Sequence, residues 1–461
     1  MKRLPLFLLL LFVGCATQQR IPEPNTLRVS PENPRYFTDN SGKAILLTGS
    51  HVWNNLVDIS PQDPPKPLDF EEHIAWLESH NHNFVRLWAW ELVTWDTVKN
   101  EKDSRKGHFV APHPFPRTGP GLALDGKPKF DVWKINPDYL ERLLQRVQTA
   151  QNHGVYVAVM LFEGWGLQFE PHGIRSHPFH KDNNINGING DPDGDGMGLE
   201  IHEGVIPEIT EIQRNYVRRV IDTINDFDNV LFEISNENHP ASTPWQFAMI
   251  RFIREYESTK PKQHPIGMTF QYKGGSNKTL LDSPADWISP NGEGDYRDNP
   301  PEADGTKVIL SDTDHLWGIG GYPKWVWKSF LRGLNPIYMD PIDGSVISHN
   351  YVPELSESIR VAMGYARAWS ERINLVAMEP ENELSSTGYC LADPGQEYLV
   401  YAGDEDLEVT VHLLPGEYHM LWFDTETGEE TDSKLLVSGG INNRLSKPFS
   451  APSLLHLKST R

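Results

Sequence analysis

"NVLFEISNENHP", residues 229–240, starts as an apolar, β-forming run and ends in amides, a carboxylate and an imidazole. A strand buried on both faces reads as a continuous apolar run. Its packing gives no use for Asn236, Glu237, Asn238 and His239 at the tip. Polar groups at the carboxyl end of a buried parallel strand are where α/β folds place their sites. Similar runs recur on both sides: "AILLTGSHVW" (44–53), "NFVRLWAW" (83–90), "VYVAVMLFE" (155–163), "PIGMTF" (265–270), "DWISPN" (286–291), "KVILSDTD" (307–314) and "NPIYMD" (335–340). Helical patterns lie between them. "DFEEHIAWLESHN" (69–81) opens on Asp69 as an N-cap. "NPDYLERLLQRVQTAQNHG" (136–154) sets Leu140, Leu143, Leu144 and Val147 on one stripe and stops at Gly154. "EIQRNYVRRVIDTIND" (211–226) repeats the stripe with Ile212, Tyr216, Val220 and Ile224. The alternation predicts an α/β chain, a (β/α)8 TIM barrel over 31–383, weakest between its fifth and sixth strands. From 384 to 461 short alternating runs and turns such as "DTETGEE" predict a small all-β sandwich.

With 461 residues the chain can hold one large domain and a smaller one. Its net charge of −21, spread along the sequence, argues against a nucleic-acid partner, whose phosphates need a basic surface. The N-terminus, "MKRLPLFLLLLFVGCATQQR", places Lys2 and Arg3 before an apolar run too short to span a bilayer. "LFVGC" resembles the lipobox of bacterial lipoproteins, with Phe12 where that motif prefers Leu. The resemblance implies a signal peptide over 1–14, lipidation of Cys15, a polar tether over 15–30 and attachment to a membrane. Ala16 resembles sorting to the outer membrane, on its periplasmic or cell-surface face. Cys390, the second of two cysteines, then has no disulfide partner and reads as a small buried hydrophobe.

The strand ends supply the candidate site: His51 and Trp53 from the first strand, and Arg86, Trp88 and Trp90 from the second. Glu163 and Trp165 follow the third, Asn236 and Glu237 the fourth, Tyr272 the fifth and Asn291 the sixth. The seventh ends in Asp312, Asp314, His315 and Trp317. Tryptophans among carboxylates suit a carbohydrate, whose C–H faces stack on aromatic planes while its hydroxyls bond to charged groups. Asn-Glu ending strand four, an acid ending strand seven and an Arg on strand two resemble clan A glycoside hydrolases, within them the apiosidase-like catalytic domains. The tail "GYCLADPGQEYLVYAG…WFDTETGEE…APSLLHL" resembles a collagen-binding-type β-sandwich module found behind such barrels. These resemblances imply a retaining glycosidase with Glu237 as acid/base, Asn236 on the sugar 2-hydroxyl and a strand-seven carboxylate as nucleophile. The chain departs from the clan there, offering aspartate where most members have glutamate. By strand position Asp312 is favoured, with Asp314 as the alternative.

"NGDPDGDGMGLEIHE" (189–203) carries Asp191, Asp193 and Asp195 at the spacing of half a calcium loop. His202 stands where an EF-hand has its bidentate Glu, so a structural Ca2+ would need Glu200 or Glu203. No cofactor is required by the chemistry. His172, His177, His180 and His202 also raise a zinc site, and with it a metal-dependent hydrolase. A carbohydrate-binding lipoprotein without catalysis is the other alternative.

Overall fold

The computed structural model describes residues 25–95, 107–169, 173–346, 351–431, 435–440 and 442–461. The expected signal peptide, Cys15, the start of the tether and His172 lie outside the described residues.

Eight parallel strands form the barrel: β1 (Gly49–His51), β2 (Phe84–Leu87), β3 (Tyr156–Glu163), β4 (Val230–Asn236), β5 (Ile266–Thr269), β6 (Trp287–Ser289), β7 (Val308–Asp312) and β8 (Asn335–Met339). Each falls inside one of the eight apolar runs expected. β2 to β8 pair in chain order and β8 returns to β1. The seam between β1 and β2 is closed by side chain and backbone. Asn83 N donates to Thr48 O and Thr48 N to Asn83 Oδ1, both at 3.0 Å. The backbones meet so closely there that a Cβ on Gly49 would fall 2.0 Å from Phe84 O. Only glycine fits that approach.

Helices follow most strands: α1 (Phe70–Ser79), α2 (Pro137–Asn152), α3 (Pro207–Ile224), α4 (Thr243–Glu257), α5 (Asn277–Leu281), α6 (Thr313–Leu316), α7 (Pro323–Leu331) and α8 (Pro353–Arg372). Asp69 caps α1 as expected, accepting from Glu72 N at 3.0 Å. Asn136 caps α2, which buries Leu140, Leu143 and Val147, while Leu144 stays half-buried. α3 buries its predicted stripe but starts at Pro207, four residues early, because proline fits the first helical turn. The chain passes from β6 to β7 through residues 290–307 without a helix. β7 is shorter than its run. It ends at Asp312, whose side chain accepts Asp314 N at 2.9 Å and starts α6.

The C-terminal part is antiparallel. β9 (Glu379–Pro380), β10 (Cys390–Asp393), β11 (Glu397–Ala402), β13 (Glu417–Asp424), β14 (Leu435–Ser438) and β16 (Ser453–Ser459) form one sheet; β12 (Glu408–Val411) and β15 (Asn443–Ser446) form a second. Strand periodicity divides the first sheet's residues between two cores. Cys390, Tyr398, Val400, Trp422 and Leu455 pack with Val409 and Val411 of the second sheet. Leu391, Leu399, Leu421, Phe423 and Leu454 join the barrel core instead. Phe423 sits edge-on to Trp327 of α7 and to Tyr365 and Trp369 of α8, with centroids 5.2–6.1 Å away. Among the described residues no helix is long and apolar enough to cross a membrane.

Candidate active site

Arg86 on β2 is the hub of the barrel mouth. It is buried, and a buried guanidinium needs counter-charges and acceptors for its fork of donors. Nε and Nη2 clasp the Glu233 carboxylate at 2.9 and 2.7 Å. Nη2 also donates to Asn236 Oδ1 at 2.8 Å. Nη1 is shared between Asp312 Oδ2 at 2.9 Å and Asp314 Oδ2 at 3.0 Å. Its Cζ lies 4.9 Å from the Trp88 ring. Glu233 was not among the expected site residues, although a charge between Phe232 and Ile234 in a buried strand was the available signal.

β4 delivers the next two residues by breaking its own pleat. A strand points successive side chains to opposite faces, yet Asn236 and Glu237 both line one cavity of about 510 Å3. Glu237 adopts φ 42°, a left-handed conformation costly for a residue with a Cβ. The turn is pinned from both sides. Gln168 Nε2 donates to Glu237 O at 2.9 Å, and Tyr272 N donates to Asn238 O at 3.0 Å.

The aspartates of the β7–α6 junction share Arg86 but differ in surroundings. Trp88 Nε1 donates to His51 Nδ1 at 2.9 Å, so the His51 proton lies on Nε2 and points at Asp312, 2.9 Å away. Burial works against an ionised Asp312, but His51 and Arg86 outweigh it and hold the carboxyl well below its usual range. Asp314 lines the cavity; Asp312 lies behind it, against His51. Burial pushes the Asp314 carboxyl up to about 6; Arg86 pulls it down and the neighbouring Asp312 charge raises it further. His315 Nε2 donates to Asn236 Oδ1 at 3.1 Å, and Ser289 Oγ donates to His315 Nδ1 at 2.7 Å. Burial, with the nearby Arg86 charge, lowers the His315 ring to about 3, so it is neutral. Asn236 Oδ1 thus takes donors from both Arg86 and His315, which fixes the amide with its NH2 as the group left to donate.

Aromatic rings form one wall. Trp53 lies 5.2 Å from Trp90 and 5.9 Å from Trp165, and Trp165 lies 4.9 Å from Trp95 and 4.8 Å from Phe169. Of the residues expected from sequence, Trp53, Trp88, Trp165, Asn236, Glu237, Tyr272, Asn291, Asp314, His315 and Trp317 line the cavity. His51, Arg86, Trp90, Glu163 and Asp312 are buried beneath or beside it. Trp95, Phe270, Glu293, Arg297 and Met339 also line it and were not anticipated. Met339 ends β8 and Phe270 follows β5, whereas Glu293 and Arg297 come from the β6–β7 connection, which has no periodic pattern to read.

The chain superposes on a glycoside hydrolase with a TM-score of 0.59 at 11% identity, covering 95% of this chain and 97% of that one. It superposes on a family 5 glycoside hydrolase from Bacteroides vulgatus with a TM-score of 0.61 at 10% identity, covering 94% of both chains. It shares their fold. A family model described as a domain of unknown function (DUF6298) matches residues 103–274. No curated protein sequence matches the chain.

Among the described residues, the loop's histidines form no cluster of three metal-ligating groups. His177 Nε2 and His202 Nε2 flank the two oxygens of Glu91 at 3.3 and 3.2 Å, and His180 Nδ1 accepts from Asp182 N. Burial opposes ionisation of Glu91, but His202 and His177 bring its carboxyl down to about 2. Of the loop imidazoles, His177 and His202 face the Glu91 carboxylate. Glu163 lies beside Glu91, and burial together with that charge pushes it to about 8, against the amides of Gly166 and Trp165 that it accepts. Among the described residues, oxygens of Asp191, Asp193 and Glu200 come within 4.8 Å of one another. Asp195 is not one of them; its Oδ1 accepts Met197 N at 2.8 Å. Glu203 faces His239 Nε2 at 3.0 Å.

Proposed function

We propose that the protein is a glycoside hydrolase in which Glu237 is the acid/base and Asp314 the nucleophile. The observation that carries this reading is the pairing of Glu237 and Asp314 on one cavity beside a tryptophan wall. The Asn236 NH2 would hold the sugar 2-hydroxyl. Asp314 would attack the anomeric carbon while Glu237 protonates the departing glycosidic oxygen; Glu237 would then take a proton from the water that releases the sugar from Asp314. Retention requires carboxyls about 5–5.5 Å apart, and an aspartate is one C–C bond, about 1.5 Å, shorter in reach than glutamate. Asp314 stands two residues beyond the strand tip and lines the cavity with Glu237, which Asp312 does not. Asp312 we assign to orienting His51 and Arg86. Reducing-sugar release from plant and algal oligosaccharides by the wild-type protein, but not by Glu237→Gln, tests the reading. Sugar binding without release would favour the non-catalytic carbohydrate-binding alternative.

Asp191, Asp193 and Glu200 fit a hard cation such as Ca2+: all donors are oxygens, and Glu200 Oε1 is a buried atom without a hydrogen-bond partner. We assign the ion a structural role. We also propose a lipid anchor on Cys15 and an outer-membrane location; retention of a Cys15→Ala variant in the membrane fraction would refute the anchor.

A further inference from the structure

The cavity wall is acidic, with Glu237, Glu293 and Asp314, in a chain of 63 Asp and Glu against 42 Lys and Arg. A cation in such a setting is ordinarily drawn into ion pairs, as Arg86 is. Arg297, on the connection from β6 to β7, behaves differently. It is the one Arg or Lys among the described lining residues, and among the described residues it forms no hydrogen bond or ion pair. The nearby Glu293 is engaged elsewhere, its Oε2 accepting Asn277 N at 2.8 Å. The Arg297 side chain rests on Gly292, where a Cβ would fall 3.0 Å from Nε and 3.4 Å from Cζ. Glycine there gives the exposed guanidinium a backbone shelf at the edge of the cavity and leaves its planar fork of donors to a ligand. By strand order this subsite lies opposite the tryptophans that follow β2.

We infer that Arg297 selects a sugar residue bearing a single negative charge, a carboxylate or a sulfate ester; this rests on the glycosidase reading above. A guanidinium pairs with either anion through two parallel hydrogen bonds, which a neutral hydroxyl cannot match. The overall charge of −21 disfavours a polyanion. The substrate is therefore a mostly neutral glycan with isolated acidic residues.

The test titrates Glu237→Gln protein calorimetrically with glucuronate, galacturonate and glucose 6-sulfate, and with glucose and galactose as neutral counterparts. The titrations are repeated in Glu237→Gln/Arg297→Gln, a change at an exposed side chain. The acidic sugars are expected to bind about tenfold or more tightly than the neutral ones, and Arg297→Gln to remove that preference. Whether uronate or sulfate shows it identifies the anion. Equal binding of neutral sugars, no measurable binding of acidic ones, or a preference that survives Arg297→Gln overturns the inference. Hydrolysis is followed in parallel. Cleavage of neutral oligosaccharides alone, at equal rates with and without Arg297, overturns this inference and leaves the glycosidase reading standing. Acidic-sugar binding that depends on Arg297, without cleavage of any oligosaccharide by wild type, supports the inference and overturns the glycosidase reading.

Discussion

Asp312 and Asp314 converge on one nitrogen, Arg86 Nη1, at 2.9 and 3.0 Å, yet they are opposites as acids. One is held ionised by His51 and Arg86; the other is pushed up by burial and by its neighbour. On the proposed mechanism Asp312 anchors and Asp314 does the chemistry. Asp314→Ala should lower kcat/KM by about 10³-fold or more with little change in Tm. Asp312→Ala strands buried donors and should destabilise the fold by about 3–5 kcal/mol. Azide should rescue Asp314→Ala by forming a glycosyl azide of inverted configuration. A fully active Asp314→Ala would reject the assignment.

Glu237→Gln keeps the shape of the side chain but removes the transferable proton. It should cost at least about 10²–10⁴-fold in kcat on substrates with poor leaving groups and leave Tm unchanged. Rates within tenfold of wild type would make Glu237 a structural residue.

A nucleophilic Asp314 must be ionised. With its carboxyl near 6, kcat/KM should fall tenfold per unit of pH below about 6. An acid limb near 4, the range of an ordinary carboxylate, would point to a different titrating group.

Gly164 faces the side chain of Asn238, and a Cβ there would lie 2.2 Å from Asn238 Cγ. That amide cannot withdraw, since it donates to Ser235 Oγ and accepts His239 N. Gly164→Ala should therefore shift the turn that carries Glu237, lowering kcat about 10–100-fold with KM nearly unchanged. Wild-type kcat in this variant would show that the turn adjusts freely.

If Asp191, Asp193 and Glu200 hold Ca2+, EDTA should lower Tm and added Ca2+ should restore it, by mass action on the folded state. Asp191→Asn should abolish the response. Asp195→Asn should preserve it, because Asp195 bonds its own turn. An unchanged Tm in EDTA would leave the loop a plain acidic turn.

The barrel was legible because parallel strands buried on both faces leave a long apolar trace, and each observed strand lies inside one. β5 and β6 were faint for a physical reason. Trp287 lies across Gly267, where a Cβ would fall 2.0 Å from the ring, so β5 carries a glycine in place of an apolar side chain. Glu237 was legible from its place at a strand end. Strand position ranks Asp312 over Asp314, while the capping of α6 by Asp312 leaves no trace in a strand pattern. Arg86 was legible as a site residue, but its bond to Glu233 joins neighbours 147 positions apart, and no local pattern announces such a contact. Arg297 sits on the irregular β6–β7 connection and Trp95 on a strand of only two residues, Thr94–Trp95, both too short of pattern to carry a periodic signature.

The first C-terminal sheet has no face to spare: one side closes its own core, and the other lies on α7 and α8 through Phe423 and its neighbours. A barrel cut off after α8 would leave that apolar ground bare to water. The two parts should accordingly melt in a single calorimetric transition, and a protease should not release an intact barrel. The tail is thus no passenger that recombination could exchange for another module. Barrel and tail should gain and lose their structure together, as one cooperative unit.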